Sequence, residues 1–182
     1  VDWQQTPDGR PGWAYYLISQ GYVVYMLDYP ARGRSAYVPG YDGNIGIRTA
    51  DQLEQIWTNT AERGDFPLKN NHTQWPGAGK VGDPIFDTFT KSQLNYADTS
   101  TDLAREAAID LLDTIGTPVI LLTHSQGGGV GFEVAERRSK LVKSIVTVEP
   151  GGPQIGSADT AKVLPGDRNP NSWGLTTQPY RY

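Results

Sequence analysis

The chain has 182 residues and a net charge of -4, with 37% hydrophobic residues and no cysteine. This charge balance offers no basic face for nucleic acid or an anionic membrane surface, and no apolar run reaches the ~18 residues of a membrane span. The lack of cysteine excludes a disulfide framework and thiolate metal sites without fixing the compartment. Length and composition indicate one rather polar globular domain with a full core.

Residues 1–39 contain the first predicted core elements. Residues 11–20 are expected to form a short helix, because Pro11 suits a first helical turn and a glycine follows the run. The apolar residues 22–27 predict a strand, which Asp28 stops.

Residues 40–96 show a different pattern. Thr49 and Gln52 form a capping box for a helix near residues 50–62, and a loop-like stretch follows at residues 70–79. We interpret residues 40–96 as a cap or lid inserted into the core. A surface excursion without a functional part is the alternative.

Residues 97–182 return to the core pattern. Two apolar strands, 118–123 and 141–148, flank a helix near residues 128–138. Strand–helix–strand units with short links form parallel sheets, so the predicted fold class is α/β, with a mostly parallel sheet and helices on both faces. A helix that begins near Asp102 precedes them, and its apolar stripe comprises Leu103, Ala107, Leu111, Leu112 and Ile115.

The segment from Val119 to Gly131 has the pattern of a nucleophile elbow. In an elbow, a sharp turn between a strand and a helix exposes one serine hydroxyl above the sheet. Ser125 stands at such a turn, and the N–H of Gln126 at the helix start could hold an oxyanion. A serine–glycine loop that only links strand to helix is the alternative.

Glu149 ends the strand that follows, so its carboxylate is expected at the same edge of the sheet as Ser125. A carboxylate there could hold a histidine in the tautomer that a serine nucleophile needs. As alternatives, Glu149 could cap a loop or pair with an arginine.

The chain has two histidines, and neither is placed as a catalytic base. His124 adjoins Ser125 on a strand, where successive side chains point to opposite faces, so we expect it buried beneath the elbow. His72 lies in the insertion and could contact a substrate. We therefore expect the base to come from outside this chain.

Several motifs together resemble the α/β-hydrolases. The resemblance is closest to bacterial and fungal esterases whose triad acid is a glutamate directly after the sixth strand. The motifs are Thr6-Pro-Asp-Gly-Arg-Pro-Gly-Trp13, Asp28-Tyr-Pro-Ala-Arg-Gly-Arg-Ser35, His72-Thr-Gln-Trp-Pro-Gly77, Thr123-His-Ser-Gln-Gly127 and Val148-Glu-Pro-Gly151.

The resemblance implies a serine esterase that forms an acyl-enzyme, with Ser125 as nucleophile, Glu149 as acid and the Gln126 N–H as an oxyanion donor. Thr123 departs from the pattern, because it stands where G-x-S-x-G has its first glycine. The pocket candidates are Tyr29, Arg32 and His72.

The resemblance also implies that material outside these residues completes the sheet. In such hydrolases the third strand lies between the fourth, here residues 22–27, and the fifth, here the strand from Val119. Without it, unpaired N–H and C=O groups would line both facing edges. We expect companion polypeptides that fill this gap and supply the catalytic histidine. A stably folded lone monomer would contradict this hypothesis.

Two other functions fit parts of the sequence. A dinucleotide-binding Rossmann unit also has a glycine-rich turn and an acid at the next strand end, where Glu149 lies, but the glycine spacing here does not match. A hydrolase fold that binds a ligand or partner without catalysis would fit the missing base.

The remaining predictions concern ligands and location. The expected substrate is a small-molecule ester, with no cofactor and no metal, because no metal-ligand spacing occurs. Asn71 begins a glycosylation sequon, Asn71-His-Thr73, but about one sequon is expected by chance in a chain of this length, so it adds little to the prediction of secretion. Neither nucleic acid nor a membrane is an expected partner, and a homodimer stays open.

Overall fold

The computed structural model describes residues 3–6 and 9–150, so residues 151–182 of the predicted core lie outside the described part. In chain order its helices and strands are α1 Trp13–Ser19, β1 Ile45–Gly46, α2 Ala50–Leu53, α3 Thr60–Arg63, α4 Pro84–Ser92, β2 Tyr96–Ala97, α5 Ser100–Ile115, β3 Val119–Ser125, α6 Gly127–Arg137 and β4 Val142–Pro150.

The first helix forms as predicted, but the strand after it does not. α1 ends at Ser19, and Gly21 follows at φ 86°, a left-handed conformation that suits glycine. Residues 22–27 pair with no strand of the described chain, and five of these six side chains are exposed. The strand prediction is therefore wrong for this structure, because an apolar run becomes a strand only when a neighbour accepts its hydrogen bonds.

The loop after this segment is closed by Asp28. Its Oδ2 accepts hydrogen bonds from the backbone N–H and the Nε of Arg34, each 3.0 Å long. These bonds, the backbone one first, lower the pKa of Asp28. The loop carries Tyr29 against the core helices.

The helix predicted near residues 50–62 forms in pieces. Its capping box is present: Thr49 Oγ1 accepts from the Gln52 N–H (3.3 Å), and Gln52 Oε1 accepts from the Thr49 N–H (2.9 Å). A π-helical segment, Glu54–Thr58, joins α2 to α3, whose C-cap is Gly64. Further along, Asp83 is the N-cap of α4 and its carboxylate accepts a hydrogen bond from the Ile85 N–H.

A short antiparallel pair joins the two ends of the predicted insertion. Gly46 of β1 pairs with Tyr96 of β2. Beside them the Asp98 carboxylate accepts from the backbone N–H and the side-chain amide of Asn44, each at 3.0 Å. We call residues 44–46 and 96–98 the stem. The chain leaves the stem after residue 46 and returns to it at residue 96. The role of residues 40–96 as a lid stays a prediction.

The core contains the predicted parallel strands. β3 and β4 are hydrogen-bonded neighbours, with Val119 opposite Val142 and Ser125 opposite Pro150. α6 connects them and packs on both. The carboxyl ends of the two strands therefore meet at one edge of the sheet, which confirms the α/β architecture.

The apolar centre lies between α5 and α6. It comprises the buried residues Ile109, Leu112, Val130 and Val134, and Val119 and Leu121 of β3 pack against it. The buried face of α5 differs from the predicted stripe. Ala104, Ile109 and Leu112 are buried, whereas Leu103, Ala107, Leu111 and Ile115 are only half-buried. The buried face of α5 is rotated relative to the predicted stripe because of the position of α6. The spacing of apolar residues along α5 does not specify that position.

Candidate active site

The structure forms the predicted turn at Ser125. β3 ends at this residue, Gln126 is the N-cap of α6, and the helix begins at Gly127. Ser125 has φ 49°, in the left-handed region, which costs a non-glycine residue about 1–3 kcal/mol. Its side chain is exposed. A strained serine presented to solvent between a strand and a helix has the geometry of a nucleophile elbow.

Glu149 has the same unusual backbone. Its φ is 45°, and among the described residues Ala31 is the one further non-glycine residue with positive φ. Glu149 is exposed and directly precedes Pro150, the partner of Ser125 in the strand register. The structure thus brings Ser125 and Glu149 to the same sheet edge, where the sequence predicts them.

Two glycines let α6 approach the strand ends closely. A Cβ on Gly128 would lie 2.6 Å from the Cβ of Pro150, and one on Gly131 would lie 2.7 Å from the Cγ2 of Thr123. Gly131 therefore makes room for the threonine that replaces the first glycine of the G-x-S-x-G pattern. Gly127 differs, because a Cβ there would meet its nearest neighbour at 3.7 Å, an ordinary contact.

Gln126 links the elbow to α5. Its backbone is helical (φ -52°, ψ -32°), so its N–H belongs to the helix start, where N–H groups lack partners within the helix and favour anions. Its side-chain Nε2 donates to the Thr101 hydroxyl at 3.0 Å. No local sequence pattern points to Thr101, because it lies 25 positions from Gln126.

The prediction that His124 is buried beneath the elbow is wrong, since its side chain is exposed. It shares a face of β3 with Ile120, which is 44% exposed, whereas Val119 and Leu121 point to the opposite face and pack toward the helices. His72 is half-buried at the end of a 3-10 turn in the insertion. Within the described residues, no hydrogen bond or ion pair joins either histidine to the elbow serine.

The predicted pocket residues Tyr29 and Arg32 lie close to each other. The Arg32 guanidinium is 5.7 Å from the centre of the Tyr29 ring. Burial raises the pKa of Tyr29, and its hydroxyl lies 3.7 Å from the position of a Cβ on Gly127. Tyr29 therefore borders the elbow from the core side. Contact of either residue with a substrate stays a prediction.

The described part of the chain also bears on metal binding and on membrane insertion. Histidine and acidic side chains there form no group of three or more that could hold a metal ion. No helix there is both long enough and apolar enough to cross a membrane. Asn71, the sequon asparagine, is exposed at the end of a 3-10 turn.

The parallel strands, the elbow and the acid at the neighbouring strand end together define a class of protein. A sequence model described as "Alpha/beta hydrolase family" matches residues 6–181. The chain belongs to the alpha/beta hydrolase family, which confirms the resemblance.

The chain is also similar to a curated protein. It is a fungal protein (Fungal sp., strain ATCC 74256) named "Probable secreted lipase phiG", and it is 42% identical over 185 residues. The alignment covers 100% of this chain and 49% of the relative. The chain therefore spans about half the length of the relative that it matches.

Proposed function

We propose that the chain is part of a serine hydrolase that cleaves a carboxylic ester through an acyl-enzyme. Ser125 attacks the ester carbonyl, and the Gln126 N–H holds the oxyanion of the tetrahedral intermediate. The alcohol leaves with a proton from the base, and water then hydrolyses the acyl-serine. The observation that carries this proposal is the pair of left-handed residues, Ser125 and Glu149, at adjacent ends of parallel strands.

The catalytic base in this proposal is a histidine from a polypeptide segment other than these 182 residues. Glu149 is exposed at the sheet edge, so an incoming imidazole could reach its carboxylate. His124 and His72 make no described contact that would orient them as the base. The exposed apolar residues 22–27 support a further segment packed beside the core, since that surface would otherwise face water. We propose that this segment completes the sheet as well.

We propose an ester substrate, a lid over residues 40–96 and secretion, each on a separate observation. The name of the relative, a lipase, supports an ester bond. Residues 40–96 are proposed as a lid, and aromatic side chains within it pack edge to face: Trp57 with Phe89 at 6.2 Å and Trp75 with Phe89 at 5.4 Å. The same name and the exposed sequon at Asn71 support secretion of a glycosylated protein.

Labelling of the serine tests the proposal. In the protein produced at its full natural length, a fluorophosphonate should modify Ser125, and Ser125→Ala should abolish both the label and ester cleavage. Glu149→Gln should lower kcat by about 10²–10⁴-fold, because the histidine would lose the carboxylate that orients it and stabilises its charge. Mass spectrometry of the labelled peptide identifies the residue. An intact, folded protein that is not labelled would instead support a binding role without catalysis.

A further inference from the structure

We infer that Thr101 is a positioning residue for the elbow: its hydroxyl holds the side chain of Gln126 and thereby keeps the proposed oxyanion donor in place. The inference rests on the proposed function, and it concerns a residue outside the predicted Ser-Glu pair. Thr101 is half-buried in the first turn of α5, and its Oγ1 accepts the Gln126 Nε2 hydrogen bond at 3.0 Å.

The contact belongs to a two-point attachment of α6 to α5. One turn after Thr101, Arg105 donates to Glu133 in the middle of α6 at 2.9 Å. The side chains of this ion pair are 12% and 9% exposed. Because residues four apart lie on one face of a helix, the same face of α5 holds both the start and the middle of α6. The start of α6 is the part that carries the elbow.

The elbow needs such restraint because its backbone is strained. A left-handed serine persists only where the surroundings hold it there. On the strand side the support is weak, since the β3–β4 register is irregular between His124 and Ser125. On the helix side, Gln126 is the single residue between Ser125 and the first residue of α6. Fixing the Gln126 side chain therefore limits rotation of the peptide whose N–H must point at the oxyanion.

Loss of the Thr101 hydroxyl should therefore affect the chemical step and not substrate binding. In the full-length protein, Thr101→Val removes the acceptor and keeps the size of the side chain. It should lower kcat about fivefold, the factor that corresponds to one ordinary hydrogen bond, with KM unchanged. Thr101→Ser keeps the hydroxyl and should retain kcat. Thr114→Val is the matched control on the same helix, because the Thr114 hydroxyl donates to the carbonyl of Asp110 within α5.

A double-mutant cycle separates positioning from general stability. Gln126→Ala keeps the backbone N–H and removes the side chain, so it should lower kcat as much as Thr101→Val. In the Gln126→Ala background, Thr101→Val should have no further effect on kcat. Equal losses in both backgrounds would overturn the inference, and so would a Thr101→Val enzyme with the kcat of the parent. If Thr101→Val fails to fold, the other two variants still test the inference. Gln126→Ala must lower kcat, and Thr101→Ser must not.

The failure of the proposed function has a different signature. If the unmodified full-length protein hydrolyses no ester and resists the fluorophosphonate, the proposed function fails and the inference fails with it. If the parent is labelled at Ser125 and Thr101→Val is labelled at the same rate, only the positioning role is overturned.

Discussion

At the residue scale, the site depends on two residues whose backbone conformation is unfavourable for a residue with a side chain. Ser125 and Glu149 are left-handed without being glycine, and each costs about 1–3 kcal/mol of strain. The close approach of α6 to the end of β4 helps to hold them, because Gly128 lets the helix lie directly against Pro150. The glycine cluster after the serine is therefore a packing requirement at some positions and dispensable at others.

Alanine substitutions within this glycine cluster should differ sharply in their effect on stability. Gly128→Ala places a Cβ 2.6 Å from Pro150, so the strand end with Glu149 must shift. We expect it to lower the free energy of unfolding by about 1–3 kcal/mol in urea titrations. Gly127→Ala is the matched control, since its Cβ fits without a clash and alanine favours a helix by about 0.5–1 kcal/mol. Equal destabilisation by the two variants would contradict the packing argument.

At the scale of elements, α5 and α6 are joined by ion pairs with different exposure. Arg105 pairs with Glu133 where both side chains are largely buried, and Arg138 pairs with Asp113 where the side chains are 36% and 45% exposed. Burial acts to lower the pKa of Arg105, but its hydrogen bonds, first that to Glu133, outweigh burial and raise the pKa. The buried pair should therefore dominate the attachment of the two helices.

Neutralising one acid of each pair tests this difference. Glu133→Gln leaves Arg105 without its buried partner and should lower the free energy of unfolding by about 2 kcal/mol, the range for a hydrogen bond between charged groups. Asp113→Asn, on the same pair of helices, should change the urea midpoint little, because solvent screens an exposed pair. A larger loss for Asp113→Asn than for Glu133→Gln would contradict the ranking.

The stem should respond to acid in a defined direction. Hydrogen bonds from Asn44, the side-chain one first and then the backbone one, lower the pKa of Asp98 below its ordinary value of 3.8. A carboxyl with a lowered folded-state pKa contributes stability above its ordinary pKa and loses it as the pH falls through the lowered value. NMR should show the backbone amide of Asn44 titrating with a midpoint below 3.8. Asp98→Asn should abolish that titration, and a midpoint above 3.8 would contradict the assignment.

At the scale of the whole molecule, the apolar surface that the described chain leaves exposed includes the unpaired segment 22–27 and one face of β3. Val23 is 81% exposed and Tyr25 is 58% exposed in the unpaired segment, and Ile120 of β3 is 44% exposed. Within the described residues β3 pairs with β4 alone, so its other edge keeps free N–H and C=O groups. Both features fit the proposed additional segment of the sheet.

Amide exchange can test that proposal directly. In the protein of full natural length, the amides of residues 22–27 should exchange slowly, because strand pairing protects backbone N–H groups. The amides of β4 are the internal control, since they are paired with β3. Fast exchange of residues 22–27 in the full-length protein would contradict the completed sheet.

Local sequence determined the elements whose hydrogen bonds close within a few residues. The capping box of Thr49 and Gln52 and the turn at Ser125 formed where the sequence predicts them, because each depends on backbone preferences of adjacent residues. The parallel neighbours β3 and β4 were also predictable, since a short strand–helix–strand unit leaves them few other arrangements.

Tertiary structure alone decided features that depend on distant neighbours. Residues 22–27 have the composition of a strand, but nothing in the described chain pairs with them. The exposure of His124 depends on what covers its face of β3, and the link from Thr101 to Gln126 depends on how two helices pack. Strand pairing, burial and side-chain contacts between elements depend on residues that are distant in the sequence. Local sequence specifies only the backbone conformation of the residues themselves.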